Sequence, residues 1–185
     1  MQNITSEILS KASQGDMAAF EEIYKIASSF VYNLALKITR NNADAQEVTQ
    51  DVFMKIYHSL KDFQFRSSFK TWVYRIAVNT AINRFYKIKK EMGNRADYDT
   101  VIETVPDYRE SGEAIDQDDN RIRLNKLLEG LNPEFKACLL LREIEGLSYE
   151  EISAALKIPL NTVRSRLMRA RQALLGSGRK ETVKI

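Results

Sequence analysis

The sequence predicts an all-α protein made of two small helical domains joined by a flexible acidic linker. Apolar residues recur at intervals of three and four through most of the chain, and no segment shows the strict alternation of a half-buried strand. Only 3 prolines and 7 glycines occur among 185 residues, which favours long helices over tight turns. The helical spacing breaks down across residues 91–119, so we predict domains over residues 1–90 and 120–185 with this linker between them.

Four helices are predicted in the N-terminal domain. Residues 6–40 have helical spacing with an interruption before Asp16, which is expected to cap the second helix. A third helix is predicted over residues 45–60, with Asp44 as its N-cap. A polar and aromatic loop follows, and a fourth, long and basic helix is predicted over residues 69–90.

The C-terminal domain contains a predicted helix-turn-helix. Ser148 and Glu151 match a capping box, in which each side chain satisfies a backbone N–H at a helix start. Pro159 marks the turn, because proline is tolerated at the start of a helix and not in its interior. The remaining expectations for this domain are a helix that ends at Asn132, a helix over residues 135–145 and a loosening of the chain at residues 176–178.

Charge is distributed unevenly along the chain. Residues 64–90 contain seven lysines and arginines and no acid, and residues 160–185 contain seven with a single acid. The predicted linker contains ten acids and two arginines. Two basic blocks on either side of an acidic one predict two contacts with a polyanion such as nucleic acid.

The residue types that enzyme and metal sites need are nearly absent. The one cysteine, Cys138, is expected to be a buried structural thiol, and the one histidine, His58, is expected at the surface. Without a glycine-rich phosphate loop, a metal-ligand cluster or a nucleophile elbow, we expect no enzyme activity, metal or cofactor. No apolar segment approaches the roughly 20 residues that cross a bilayer, and no secretory signal is visible, so we expect a cytoplasmic protein without membrane insertion.

The second helix of the helix-turn-helix has an apolar and a polar face. Val163, Leu167, Ala170 and Leu174 form a narrow stripe at helical spacing. The opposite face suits the DNA major groove, where arginine can bond O6 and N7 of guanine together. A helical hairpin with a solvated basic face is the alternative, and four arginines without an acid over residues 160–172 disfavour it.

Aromatic and basic side chains alternate over residues 63–90. Trp72 is expected in the domain core, while other aromatics beside cations also suit unstacked bases and a nucleic-acid backbone. Asn79 and Asn83 lie four residues apart, on the same side of a helix, and their amides can bond a base edge. This segment predicts nucleic-acid binding in general.

Three segments, in this order, resemble the extracytoplasmic-function (ECF) sigma factors, the compact branch of the bacterial sigma-70 family. They are residues 44–53 (DAQEVTQDVF), residues 69–81 (FKTWVYRIAVNTA) and the helix-turn-helix, and the resemblance extends from Phe20 to Leu174. It implies a non-enzymatic subunit that binds core RNA polymerase, brings it to promoter DNA and is regulated by an anti-sigma factor.

The resemblance also implies three sets of contact residues. Binding to the clamp helices of the largest polymerase subunit would use Glu47, Gln50, Asp51, Met54 and Lys55. Opening of the promoter −10 element, with capture of a flipped base, would use Ser67, Phe69, Asn79, Thr80, Asn83, Arg84 and Lys87. Recognition of the −35 element would use Asn161, Thr162, Arg164, Ser165, Arg166, Arg169 and Arg171.

Two departures from the family pattern and two other interpretations accompany this assignment. Asn161 stands where many relatives have glycine, and the loop over residues 63–68 lacks a glycine common in relatives, so the −35 preference and the flipped base stay unassigned. An ordinary DNA-binding regulator, with an N-terminal domain that senses or dimerises, leaves the acid-free block 64–90 unexplained. A decoy with the sigma fold and without promoter activity is not separated from an active sigma factor by sequence.

Overall fold

The computed structural model describes residues 4–64, 67–93, 128 and 130–181, and every regular element within these ranges is helical. The chain divides into two compact units; α1 to α4 belong to the first, and α5, α7 and most of α6 to the second. The helices are α1 Ser6–Ser13, α2 Met17–Thr39, α3 Asn42–Ser59, a 3-10 turn Leu60–Asp62, α4 Phe69–Gly93, α5 Pro133–Glu143, α6 Tyr149–Leu156 and α7 Leu160–Glu181. The predicted all-α fold is confirmed.

Two of the predicted helix caps are confirmed and one is wrong. The Asp16 carboxylate accepts the backbone N–H groups of Ala18 and Ala19 at the start of α2. In the capping box, the Ser148 backbone N–H donates to Glu151 over 2.7 Å, and the Glu151 N–H donates to the Ser148 hydroxyl over 3.1 Å. The prediction that Asp44 caps α3 is wrong.

Asn41 caps α3 instead. Its side chain accepts the backbone N–H of Asp44 over 3.0 Å, which places Asp44 in the first turn of the helix. The sequence offers two adjacent asparagines and an aspartate, all favoured at this position, so the choice depends on where α2 ends. Arg40 ends α2 in the left-handed conformation, with φ of 63°.

Other helix boundaries also differ from the prediction. Pro133 begins α5, with Asn132 as its cap, so the helix starts two residues early. The glycines at residues 176–178 do not end α7, because each costs only about 1 kcal/mol in a helix relative to alanine. Residues 91–93 continue α4; the rest of the predicted linker, and the start of the helix expected to end at Asn132, lie outside the described residues.

The first unit is built around α2, α3 and α4, which pack on one another, while α1 packs on α2. Its core is mainly aliphatic, and the aromatic side chains buried in it are Phe53, Phe69, Trp72 and Tyr74. The large side chains that are almost completely buried in it are Ile23, Val31, Ile38, Val48, Val52, Ile56, Val73, Tyr74 and Val78. This core fixes the side of α3 and of α4 that remains at the surface.

The second unit packs α5 against α7. Leu141 from α5, Ile152 from α6 and Leu167 from α7 are almost completely buried, and Cys138 is enclosed as predicted. Burial raises the pKa of the Cys138 thiol, and the neighbouring Arg166 guanidinium opposes that shift. Among the described residues, no helix combines the length and the apolar composition needed to cross a membrane.

Candidate nucleic-acid and protein interfaces

One face of α3 exposes all five residues of the predicted polymerase-binding set. Glu47, Gln50, Asp51, Met54 and Lys55 are exposed. They follow the i, i+3, i+4, i+7, i+8 spacing of a single helical stripe. Met54 leaves 57% of its surface accessible, and a flexible apolar side chain among polar ones suits contact with another protein.

The aromatic side chains at the start of α4 pack on one another. The Phe63 ring lies 5.0 Å from that of Trp72, and the Phe69 ring lies 5.6 Å from it, centroid to centroid. Phe69 and Trp72 are each 8% exposed. The core prediction for Trp72 is confirmed, whereas the structure does not expose Phe69, predicted as a −10 contact, because its ring completes this aromatic cluster.

The C-terminal part of α4 is the exposed, basic part. From Ile82 to Gly93 no residue of α4 is buried. Asn79, Asn83 and Lys87 are exposed at a spacing of four, which aligns them on one side of the helix. Tyr86, 41% exposed, is the aromatic side chain in this part that is most accessible to a base.

Two other residues of the predicted −10 set are engaged by α3. Thr80 is 6% exposed and its hydroxyl accepts a 2.9 Å hydrogen bond from the Lys55 ammonium. Arg84 donates from Nε and Nη2 to one oxygen of Asp44, over 2.8 and 2.6 Å, and from Nη1 to Glu47. The hydrogen bond to Asp44 raises the pKa of the Arg84 guanidinium. The structure therefore turns Thr80 and Arg84 toward α3, not toward solvent.

The last residue of the −10 set lies before α4. Ser67 is exposed, and Ser68 beside it caps the helix by accepting the backbone N–H of Thr71 over 3.1 Å. Phe65 and Arg66 of the same loop lie outside the described residues.

α7 separates its apolar and polar residues around its circumference, as predicted. Val163, Leu167 and Ala170 are almost completely buried. Arg164 and Arg169 are exposed. Within the polar face, the Arg164 guanidinium lies 3.4 Å from the Asn161 amide oxygen, that of Arg169 lies 6.0 Å from the centre of the Phe135 ring, and the Ser165 hydroxyl donates to the Thr162 carbonyl over 3.0 Å.

The other two arginines of the −35 set are ion-paired with α5. Arg166 is directed inward, with Nη2 2.5 Å from a Glu134 oxygen and only 21% of its side chain exposed. Arg171 pairs with Glu143 at 2.8 Å, and both side chains stay about half exposed. The family resemblance implied a −35 contact for Arg166; the structure instead places its charge against Glu134, a residue that was not singled out from the sequence.

Two family models match the chain in the order of the two units. Sigma-70 region 2 matches residues 23–91, and sigma-70 region 4 matches residues 121–174. Together they cover more than half of the chain.

The chain belongs to the sigma-70 family of RNA polymerase sigma factors.

Relatives and solved structures agree with this sigma-70 assignment. The RNA polymerase sigma-H factor of Pseudomonas aeruginosa is 32% identical over 178 residues, covering 91% of this chain and 90% of the relative. The ECF RNA polymerase sigma-E factor of Escherichia coli K12 is 33% identical over 186 residues, covering 94% of each chain. The chain is thus a compact sigma factor of the ECF kind, a promoter-directing initiation factor, and its predicted family is confirmed.

Two solved structures share the fold of this chain. CnrH, in complex with the cytosolic domain of CnrY, matches with a TM-score of 0.68 at 20% identity, covering 98% of this chain and 100% of CnrH. RpoE of Bartonella quintana, in complex with the anti-sigma factor NepR, matches with a TM-score of 0.66 at 22% identity, covering 84% and 93%. In this sigma factor, α3 and all but the last two residues of α4 lie in the region 2 match, and residues 160–174 of α7 lie in the region 4 match.

Proposed function

We propose that this sigma factor divides promoter recognition between its two units, with core polymerase bound through α3, the −10 element through α4 and the −35 element through α7. The observation that carries the proposal is the presence of two exposed basic helices, one in each family region, in a chain that also exposes the polar stripe of α3. The chain acts as a non-enzymatic subunit, in the cytoplasm where polymerase and chromosome are.

For polymerase binding, the exposed stripe of α3 is the contact surface. Its acids Glu47 and Asp51 and the half-exposed Met54 combine charge with an apolar anchor, as protein interfaces do. Charges at such a surface determine which partner binds and in which register, because placing like charges opposite each other costs several kcal/mol of binding free energy.

At the −10 element, the exposed end of α4 supplies amides and cations. Asn79 and Asn83 can bond the edge of an unpaired base, while Lys87 neutralises a phosphate. Extruding a base costs a few kcal/mol of stacking and pairing, which these contacts offset. Ser67 lies before the opposite, N-terminal end of α4 and is proposed as a separate contact to the −10 DNA.

At the −35 element, α7 enters the major groove with its exposed face. Arg164 and Arg169 are the cations that can reach a base edge or a phosphate, and Asn161, Thr162 and Ser165 add polar groups beside them. Arg171, at the edge of this face, remains half exposed despite its pairing with Glu143 and contributes charge.

An anti-sigma factor is the proposed regulator. One of the matching structures is the sigma factor RpoE in complex with the anti-sigma factor NepR, and another is CnrH in complex with the cytosolic domain of CnrY. A partner that covers α3 or α7 would block polymerase or DNA, since both surfaces are exposed here.

Run-off transcription with bacterial core polymerase tests the proposal. Discrete transcripts from genomic fragments that appear only when the chain is added are the expected result. Stable binding to core without any transcript would indicate a decoy, and absence of binding to core would indicate a stand-alone helix-turn-helix regulator; either result contradicts the proposal.

Replacing Asp51 with arginine tests the α3 surface. We expect Asp51→Arg to weaken core binding about tenfold or more, because it reverses a charge at the interface. A tenfold loss of affinity corresponds to about 1.4 kcal/mol of binding free energy. The matched control is Glu22→Arg, the same kind of reversal at an exposed position of α2. Core affinity is measured by fluorescence titration, and equal affinities for the two variants would remove α3 from the interface.

A further inference from the structure

We propose that Arg84 and Arg166 are positioning residues that hold α4 and α7 on their supporting helices and do not contact DNA. The proposal rests on the proposed function, in which these two helices face promoter DNA. It divides the residues expected to contact DNA on each helix into those that bind DNA and one arginine that sets the position and rotation of the helix.

The contacts of Arg84 occupy the donors that a phosphate or base would need. Three of the five N–H donors of a guanidinium have carboxylate partners here, with Nε and Nη2 on Asp44 and Nη1 on Glu47. The side chains of Arg84 and Asp44 are 23% and 16% exposed, so water screens the pair only in part. DNA could use the full donor set of Arg84 only by breaking this arrangement, and two N–H donors are left for it otherwise.

Arg166 has the corresponding contact in the second unit. Its Nη2 lies 2.5 Å from Glu134, and the two side chains are 21% and 34% exposed. Both acids occupy the first turn of the helix that supports the DNA-facing one: Asp44 in α3 and Glu134 in α5. The positive end of a helix dipole favours a carboxylate there, so each carboxylate is stabilised by its own helix as well as by the arginine.

The exposed cations differ from these two. Arg164 contacts an amide and Arg169 lies over an aromatic ring, and neither contact neutralises the arginine charge. They can exchange these contacts for DNA at little cost, whereas Arg166 would leave Glu134 uncompensated close to the DNA.

The two roles predict opposite effects for the same substitution. If Arg166 binds DNA, Glu134→Gln removes a competing negative charge and tightens binding. If Arg166 positions α7, Glu134→Gln releases the helix and weakens binding. Charge alone therefore cannot produce the result that positioning predicts.

The experiment is a double-mutant cycle on the holoenzyme, using duplex DNA with a −35 element mapped by run-off transcription. We expect Glu134→Gln and Arg166→Gln each to weaken binding about tenfold and the double variant to lose about tenfold as well, not about a hundredfold. Glu150→Gln, an exposed acid-to-amide change at the start of α6, is the matched control and should leave affinity unchanged. Arg166→Lys, which keeps the charge, should recover part of the loss.

The dependence of affinity on salt separates the two roles a second time. Arg166→Gln should keep the wild-type slope, because no phosphate contact is lost, whereas loss of one phosphate contact lowers the slope by about 0.9. Thermal unfolding of each variant establishes that it is folded at the assay temperature. If Arg166→Gln is unfolded, Arg166→Lys and Glu134→Gln carry the test.

The same cycle with Asp44→Asn and Arg84→Gln, measured on a single-stranded −10 oligonucleotide, tests the first unit. Three results would overturn the proposal. They are tighter DNA binding by an acid-to-amide variant, losses of affinity that add in the double variant, and a reduced salt slope for the arginine variant. Failure of the wild-type holoenzyme to bind either DNA would instead overturn the proposed function.

Discussion

The two basic helices of this sigma factor, α4 and α7, bury their apolar side chains in different ways. α7 is divided around its circumference, since Val163 and Leu167 are enclosed while Arg164, on the same turns, is exposed. α4 is divided along its length: most of its residues up to Ala81 are buried, and none from there to Gly93 is.

This difference relates to the DNA that each helix is proposed to bind. A helix that is exposed along one whole side can lie in the groove of a rigid duplex. A helix with a buried first half and an exposed basic end is anchored at its base and offers amides and cations to a strand that has left the duplex. Two helices of similar charge can thus serve two states of DNA because their burial patterns differ.

The largest effect is expected on the free energy of unfolding, from a substitution in the buried half of α4. Trp72→Ala should lower the free energy of unfolding by about 3–5 kcal/mol, because the ring is enclosed between Phe63 and Phe69. Tyr86→Ala, an aromatic residue of the same helix in its exposed half, should change that free energy by about 0.5 kcal/mol or less. Urea denaturation of the full chain measures both, and similar losses for the two variants would show that α4 is not divided along its length.

Several local features of the fold were predictable from sequence, whereas the pairing of the arginines was not. The Asp16 cap and the Ser148–Glu151 box each depend on residues within a few positions of one another, and both are confirmed. The apolar stripe of α7 is equally local; it is confirmed at Val163, Leu167 and Ala170, while Leu174 is only partly buried. Each is set by helix geometry alone.

The inward arginines depend on tertiary packing instead. Arg84 meets Asp44 from 40 positions away, and Arg166 meets Glu134 from 32 positions away. The local pattern cannot identify Glu134 as the partner of Arg166, because the two residues lie on different helices. An acid in the first turn of a neighbouring helix is the signal that could have singled out the pair, and it becomes specific only once the helices are packed.

A smaller effect is expected on the affinity for −35 duplex DNA, from a substitution on the exposed face of α7. Arg164→Ala should weaken holoenzyme binding to −35 duplex DNA by about 1–3 kcal/mol and relax the preference at one base pair, because a side chain that bonds a base edge carries sequence information. Binding to a panel of single-base-pair substitutions in the mapped element measures both effects. A uniform loss across the panel would assign Arg164 to the phosphate backbone.

The smallest effect is expected on the affinity for single-stranded −10 DNA, from a substitution at the exposed end of α4. Lys87→Ala should weaken binding to single-stranded −10 DNA by a similar factor for every sequence and lower the slope of log affinity against log salt by about 0.7, as loss of one single-strand phosphate contact does. Titration at several salt concentrations provides the slope. A loss that depends on sequence would show that Lys87 contacts a base.

The division of labour between α4 and α7 is tested most directly by measuring two variants against two DNAs. Holoenzymes carrying Asn83→Ala or Arg164→Ala are titrated with a single-stranded −10 oligonucleotide and with a −35 duplex that lacks the −10 element. Our account predicts that Asn83→Ala weakens binding to the single strand alone and that Arg164→Ala weakens binding to the duplex alone. Weaker binding to both DNAs by either variant, or the reverse pattern, would contradict the division of labour between α4 and α7.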